Sequence, residues 1–217
     1  MNRKNYLKEV EINRIYENSG LNLINNANLI VVDVQPAYEN GFNFDMFEFT
    51  QFLNESNSNL SSLTFLFNGP DLGFPDEHEL KYWFEENGLD QDISYSADWY
   101  DKGYAFFRFC MDSGIDEDDI ADLVKYMIKT GINDSRDLEK INWNEFMQMY
   151  DHSKEEIREL LEFSDDVLYI PDLMDYLKRF SGNIVMCGGG MYECLREVEI
   201  GFKALDKDYR LLTKYVY

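Results

Sequence analysis

Cys194 is the residue whose surroundings most invite chemistry. It stands four positions beyond three consecutive glycines, Gly188, Gly189 and Gly190, and these follow an apolar run, Ile184 to Cys187. The run predicts a short buried strand. Beyond the glycines, Leu195, Val198, Phe202 and Leu205 recur on one helical face, which predicts a helix. Glycines let a backbone turn sharply and approach a ligand closely. A helix start presents unpaired N–H groups and a partial positive charge. A thiol placed there ionises more readily than a free one, whose pKa is about 8.5, and becomes a nucleophile. The competing reading is a glycine-rich strand-to-helix turn with a core cysteine beside it.

Two further stretches bear on this choice. Leu29-Ile30-Val31-Val32-Asp33-Val34-Gln35 is an apolar strand ending in Asp-x-Gln, and Asp101-Lys102-Gly103-Tyr104-Ala105-Phe106-Phe107 sets a lysine ahead of a small residue and aromatics. Taken alone, a strand-end Asp is a turn or a helix cap, and a lysine among aromatics is a surface residue lying over apolar packing. In this order with Cys194, the stretches resemble the isochorismatase-like cysteine hydrolases, the superfamily of nicotinamidases and related amidases. The resemblance spans roughly residues 28–110 and 165–217, including a tail of helix, a turn at Lys207-Asp208-Tyr209 and a last strand.

The resemblance implies a three-layer α/β/α fold around a mostly parallel, Rossmann-like sheet. It also implies a catalytic triad of Asp33, Lys102 and Cys194 that cleaves a C–N (amide) bond of a small molecule through a thioester. In that family a non-proline cis peptide lies five and four residues ahead of the cysteine, which falls on Gly189 and Gly190. The N–H groups of Gly190 and Cys194 are then the oxyanion hole. Tyr38, Phe42, Trp99 and Tyr192 are candidate walls of a pocket for a flat ring. Nicotinamidases also carry a metal site of an Asp and several histidines. This chain has two histidines, His78 and His152, so no metal site of that type and no cofactor is expected. The alternative is a catalytically silent member that binds a metabolite or a partner protein.

The elements that must position these residues alternate. Leu29–Val34 predicts the first strand, buried on both faces as in a parallel sheet. A helix follows over 42–54, then a polar loop over 55–59. Leu63–Phe67 predicts the second strand, closed by a turn at 68–71. A helix over 77–87 is stopped by Gly88, and Ile93–Tyr95 predicts the third strand. Alternation of this kind argues for an α/β fold. Residues 112–164 depart from the family pattern and predict a helical insertion, with helices over 116–129, 136–150 and 153–161. As a lid, a contact in a homo-oligomer or mere decoration, it lies between the lysine motif and the helix of Pro171–Leu177. The acidic run Asp116–Asp119 suits a helix start and lacks the spacing of a calcium loop. Residues 1–27 are polar and rich in asparagine, with Val10, Ile12, Ile15 and Tyr16 spaced for a short amphipathic helix. No linker divides the chain, so a single domain is expected.

Composition bounds the rest. The 217 residues are 45% hydrophobic and 16% aromatic, which suits one globular α/β domain with a proper core. A formal net charge of −22 repels phosphate backbones and anionic membrane surfaces. No apolar run approaches the roughly 20 residues that span a bilayer, and the polar start carries no signal-peptide pattern. Cys110, Cys187 and Cys194 make no disulfide framework and fit a reducing, cytoplasmic setting.

Overall fold

The computed structural model describes residues 23–102, 117–132, 140–155, 171–191 and 193–217. The chain forms two compact units. The first comprises Met1–Gly103, Ser181–Met191 and Asp208–Tyr217, and the second Tyr104–Phe180 and Tyr192–Lys207.

The first unit holds the sheet. Its strands are β1 (Ala27–Val32), β2 (Ser62–Phe67), β3 (Asp98–Asp101), β4 (Asn183–Gly188) and β5 (Arg210–Leu211). All neighbours pair parallel, in the order β3-β2-β1-β4-β5. This is the expected α/β class with a Rossmann-like parallel sheet. The order reverses between β1 and β4, and open sheets of this kind bind ligands beyond the carboxyl ends of the strands at such a reversal. Leu29 through Val32 are buried on both faces of β1, as its unbroken apolar run requires.

Helices α1 (Met46–Ser56), α2 (Glu77–Glu86) and α3 (Gln91–Ser96) belong to this unit. Phe49 and Leu53 of α1 and Phe84 of α2 share one core with Leu29, Val31, Phe65, Val185 and Cys187 of the strands. The predicted helix over 42–54 begins only at Met46. Asp45 caps it by accepting from the Glu48 N–H at 2.9 Å, a local bond that sets the helix start more firmly than the apolar spacing upstream of it. The helix continues to Ser56, into the stretch predicted as loop. Helix α2 carries a capping box between Asp76 and Glu79 and stops at Gly88, as predicted.

The third strand is displaced. Ile93–Tyr95 lies in α3, and β3 follows it. Asp90 accepts from the Asp92 N–H at 2.8 Å and starts a helical turn. Three residues of apolar alternation are too few to tell a strand from such a turn.

The second unit, as far as it is described, is helical: α4 (Glu117–Thr130), α5 (Trp143–Tyr150), α6 (Pro171–Leu177) and α7 (Cys194–Ala204). Within 112–164 the described residues include no strand. Helix α4 falls where the first insertion helix is predicted. Helix α5 starts later than predicted, at its cap Asn142, and the third predicted insertion helix lies mostly outside the described residues, as does the N-terminal segment. Gly201 of α7 admits α6 closely, because a Cβ there would lie 2.6 Å from Leu177 Cδ1. Ion pairs Lys203–Asp118 at 2.9 Å and Lys125–Asp206 at 2.6 Å tie α7 and the turn after it to α4. His152 lies between two carboxylates of α4, Asp119 at 3.3 Å and Asp122 at 3.4 Å, with its ring stacked on Phe146. Burial pushes the Asp122 carboxyl up, while His152 and Lys125 draw it down.

Candidate active site

Three consecutive strands end in polar residues at the same edge of the sheet. Asp33 follows β1, Asn68 follows β2 and Lys102 follows β3. Parallel pairing puts these ends side by side, and each new residue is bonded into the ladder of its neighbour. The Asp33 N–H donates to Leu66 O at 2.8 Å, and the Lys102 N–H to Phe67 O at 2.9 Å. Their side chains meet: Lys102 Nζ lies 2.8 Å from Asp33 Oδ2, with the two side chains 1% and 0% exposed. The pair is an ion pair more than a directed hydrogen bond, since neither Asp33 side-chain oxygen has a hydrogen-bond partner among the described residues. Taking two charges out of water costs several kcal/mol per ion. The attraction between them, and the polar groups around them, must offset that.

Those polar groups are Asn68 and Gln35, both buried. Lys102 Nζ donates to Asn68 Oδ1 at 2.9 Å. Asn68 Nδ2 reaches Tyr38 Oη at 3.2 Å, and its backbone N–H donates to Gln35 Oε1 at 3.1 Å. Gln35 Nε2 and Asp33 Oδ1 are buried without hydrogen bonds among the described residues. Asp33 has φ +47°, a left-handed conformation uncommon outside glycine, and such strain collects at functional sites. Its carbonyl accepts from Tyr217 Oη at 2.8 Å.

At β4 the glycines make the turn. Gly188 has φ +75° and Gly189 φ +61°. A Cβ on Gly188 would lie 2.4 Å from the Val32 carbonyl oxygen, so β1 and β4 can pair to their ends only with glycine here. Among the described residues no peptide bond is cis, and the bond between Gly189 and Gly190 is trans, against expectation. Two successive left-handed glycines already reverse the chain. Tyr217 closes this turn, its N–H donating to Gly189 O at 3.1 Å and its carbonyl accepting from Met191 N at 2.7 Å.

Cys194 is the first residue of α7, the helix-start position predicted for it, and belongs to the second unit. It is half-buried, whereas Cys187 is fully buried, and the two form no disulfide with each other. Burial pushes the Cys187 thiol far above its ordinary value, which keeps it a protonated core residue.

The four proposed pocket walls divide. Tyr38 belongs to the Asn68 network. Trp99 is turned to packing, stacked on Phe65 at 4.1 Å, with its indole N–H donated to Ser94 O at 2.9 Å. Phe42 joins an aromatic cluster with Phe44 at 5.0 Å and Tyr217 at 4.9 Å. Tyr192 lies outside the described residues. Asn68 and Tyr217 were not legible as site residues. Asn68 reads as the first residue of an Asn-Gly-Pro turn, and only its place directly after a buried strand hints at more. Of the histidines, His78 is exposed in α2 and His152 is in the second unit, and no three ligating side chains among the described residues form a metal cluster.

No family model matches this chain, and comparison with curated proteins and with solved structures likewise gives no match.

Proposed function

We propose that this chain is a cysteine hydrolase that cleaves the C–N bond of a small amide, as its resemblance to the isochorismatase-like hydrolases implies. The observation that supports this most is the wholly buried Asp33–Lys102 ion pair at the carboxyl edge of a parallel sheet. Two desolvated charges with a bare carboxylate oxygen are costly as a structural element, and active sites are where such costs are met.

In this reading Cys194 gives its thiol proton to Asp33, and Lys102 holds the carboxylate in place and stabilises the thiolate. The sulfur attacks the amide carbonyl carbon. The oxygen takes up the negative charge and is held by the N–H groups of Gly190 and Cys194. As the C–N bond breaks, Asp33 returns the proton to the departing amine, leaving an acyl thioester. Asp33 then takes a proton from water, the resulting hydroxide attacks the thioester, and the acid leaves with the thiol restored. The chemistry requires no cofactor.

The test is ammonia release from a panel of small primary amides, with D33N and C194S alongside. Wild-type turnover, lowered by about 10²–10⁴-fold in each variant, with an acyl adduct on Cys194 by mass spectrometry, supports the reading. Turnover that survives in C194S overturns it. The near-zero exposure of Asp33 and Lys102 also favours a second reading, a silent protein that binds a metabolite or partner. Its signature is a ligand from the same panel that raises the melting temperature without being consumed.

A further inference from the structure

We infer that Asn68 is the positioning residue of this site, the group that aims the Lys102 ammonium at Asp33. The inference rests on the reading of Asp33 and Lys102 as the reacting pair. Asn68 is 3% exposed and is held at three points. Its backbone N–H is bound by Gln35 Oε1 at 3.1 Å, its Nδ2 by Tyr38 Oη at 3.2 Å, and its Oδ1 receives Lys102 Nζ at 2.9 Å. The orientation of the amide is decided by these partners. A lysine ammonium only donates, so it must face the amide oxygen, which leaves the NH₂ for the tyrosine oxygen.

The turn that carries Asn68 is itself pinned. The Gly69 N–H donates to Asp101 Oδ1 at 3.0 Å, and a Cβ on Gly69 would lie 1.8 Å from Asp101 Oδ2. Asp101 directly precedes Lys102, so one short segment at the end of β3 holds both the turn and the ammonium. The choice of asparagine follows from charge. A buried lysine paired with Asp33 still needs a hydrogen-bond acceptor, and a neutral one supplies it without a second carboxylate to compete for the ammonium or to repel Asp33. A flexible four-carbon stem is thereby reduced to one aim.

The test reads the Lys102 ammonium directly by ¹⁵N NMR and needs no substrate, so failure of the hydrolase reading leaves it decisive. A buried ammonium that donates to the Asn68 oxygen and is paired with the Asp33 carboxylate exchanges its protons with water slowly. N68L, which removes the acceptor at similar volume, should speed that exchange by at least tenfold, in line with the loss of a hydrogen bond to a charged group. N68D, which keeps an oxygen at the same place, should restore slow exchange. A folded N68L with unchanged exchange, or an N68D as fast as N68L, overturns the inference. Should N68L not fold, Y38F decides. Loss of the tyrosine oxygen frees the Asn68 amide and should raise the exchange several-fold, and an unchanged rate in Y38F overturns the inference equally.

Discussion

At the scale of single residues, the two described cysteines show how position sets reactivity. Cys187 and Cys194 are seven residues apart, on either side of the glycine turn. Cys187 is sealed in the sheet, where burial alone raises its thiol. Cys194 opens a helix and is half-buried. Iodoacetamide at neutral pH should therefore alkylate Cys194 and leave Cys187 untouched until the protein is denatured, as peptide mass mapping would show. The sign for stability follows. Because the folded Cys187 thiol titrates above its unfolded value of about 8.5, its contribution is complete below that value. It is lost as pH rises toward the folded value. Native labelling of Cys187 at neutral pH would mean that the sheet opens locally there.

At the scale of elements, the end of β4 is the constraint on which the site depends. Gly188 and Gly182 both have positive φ, +75° and +78°, so alanine is strained at either. A Cβ at Gly182 meets nothing within 4 Å, whereas at Gly188 it meets the β1 backbone. G182A should cost about 1–2 kcal/mol, the usual cost of a left-handed L-residue. G188A should cost several times that, because backbone oxygen cannot move aside without unpairing β1 from β4. Chemical denaturation of the two variants compares them. Equal losses would show that conformation alone, and not the close approach of two strands, demands glycine. The helix starts belong to the same scale. Asp45, Asp76 and Asp90 each accept a backbone N–H at the start of α1, α2 and α3. These short-range bonds moved two boundaries away from where apolar spacing placed them.

At the scale of the whole molecule, charge is the dominant property. With 42 acidic against 20 basic residues, the folded chain confines a large negative excess, and self-repulsion opposes compaction. Raising sodium chloride from about 0.01 M to about 1 M shortens the screening length from roughly 30 Å to roughly 3 Å. The melting temperature should rise over that range, as scanning calorimetry would record. A fall would show that the ion pairs of the fold, such as Lys125–Asp206 and Lys203–Asp118, outweigh the excess. No helix among the described residues is long and apolar enough to cross a membrane.

The amino-acid order by itself determined what is local or periodic. Unbroken apolar runs marked β1, β2 and β4 because strands buried on both faces need them, and Gly88 marked the end of α2. The strand-end position of Asp33 and the helix-start position of Cys194 were legible for the same reason, whereas that of Lys102 was not, because the strand before it was predicted at Ile93–Tyr95. Tertiary structure decided what depends on neighbours distant in sequence. The strand order, the meeting of Asp33 with Lys102 and the place of Asn68 beside them come from parallel pairing, while Tyr217 reaches that edge through its backbone bonds to the glycine turn. Such pairing juxtaposes Ala27 with Asn183 as readily as Asn28 with Ser62 and leaves no trace in local spacing. The trans bond at Gly189–Gly190 belongs here too. Whether a glycine turn needs a cis peptide depends on the backbone path on both sides, and here two left-handed glycines, the first pressed against β1, supply that path.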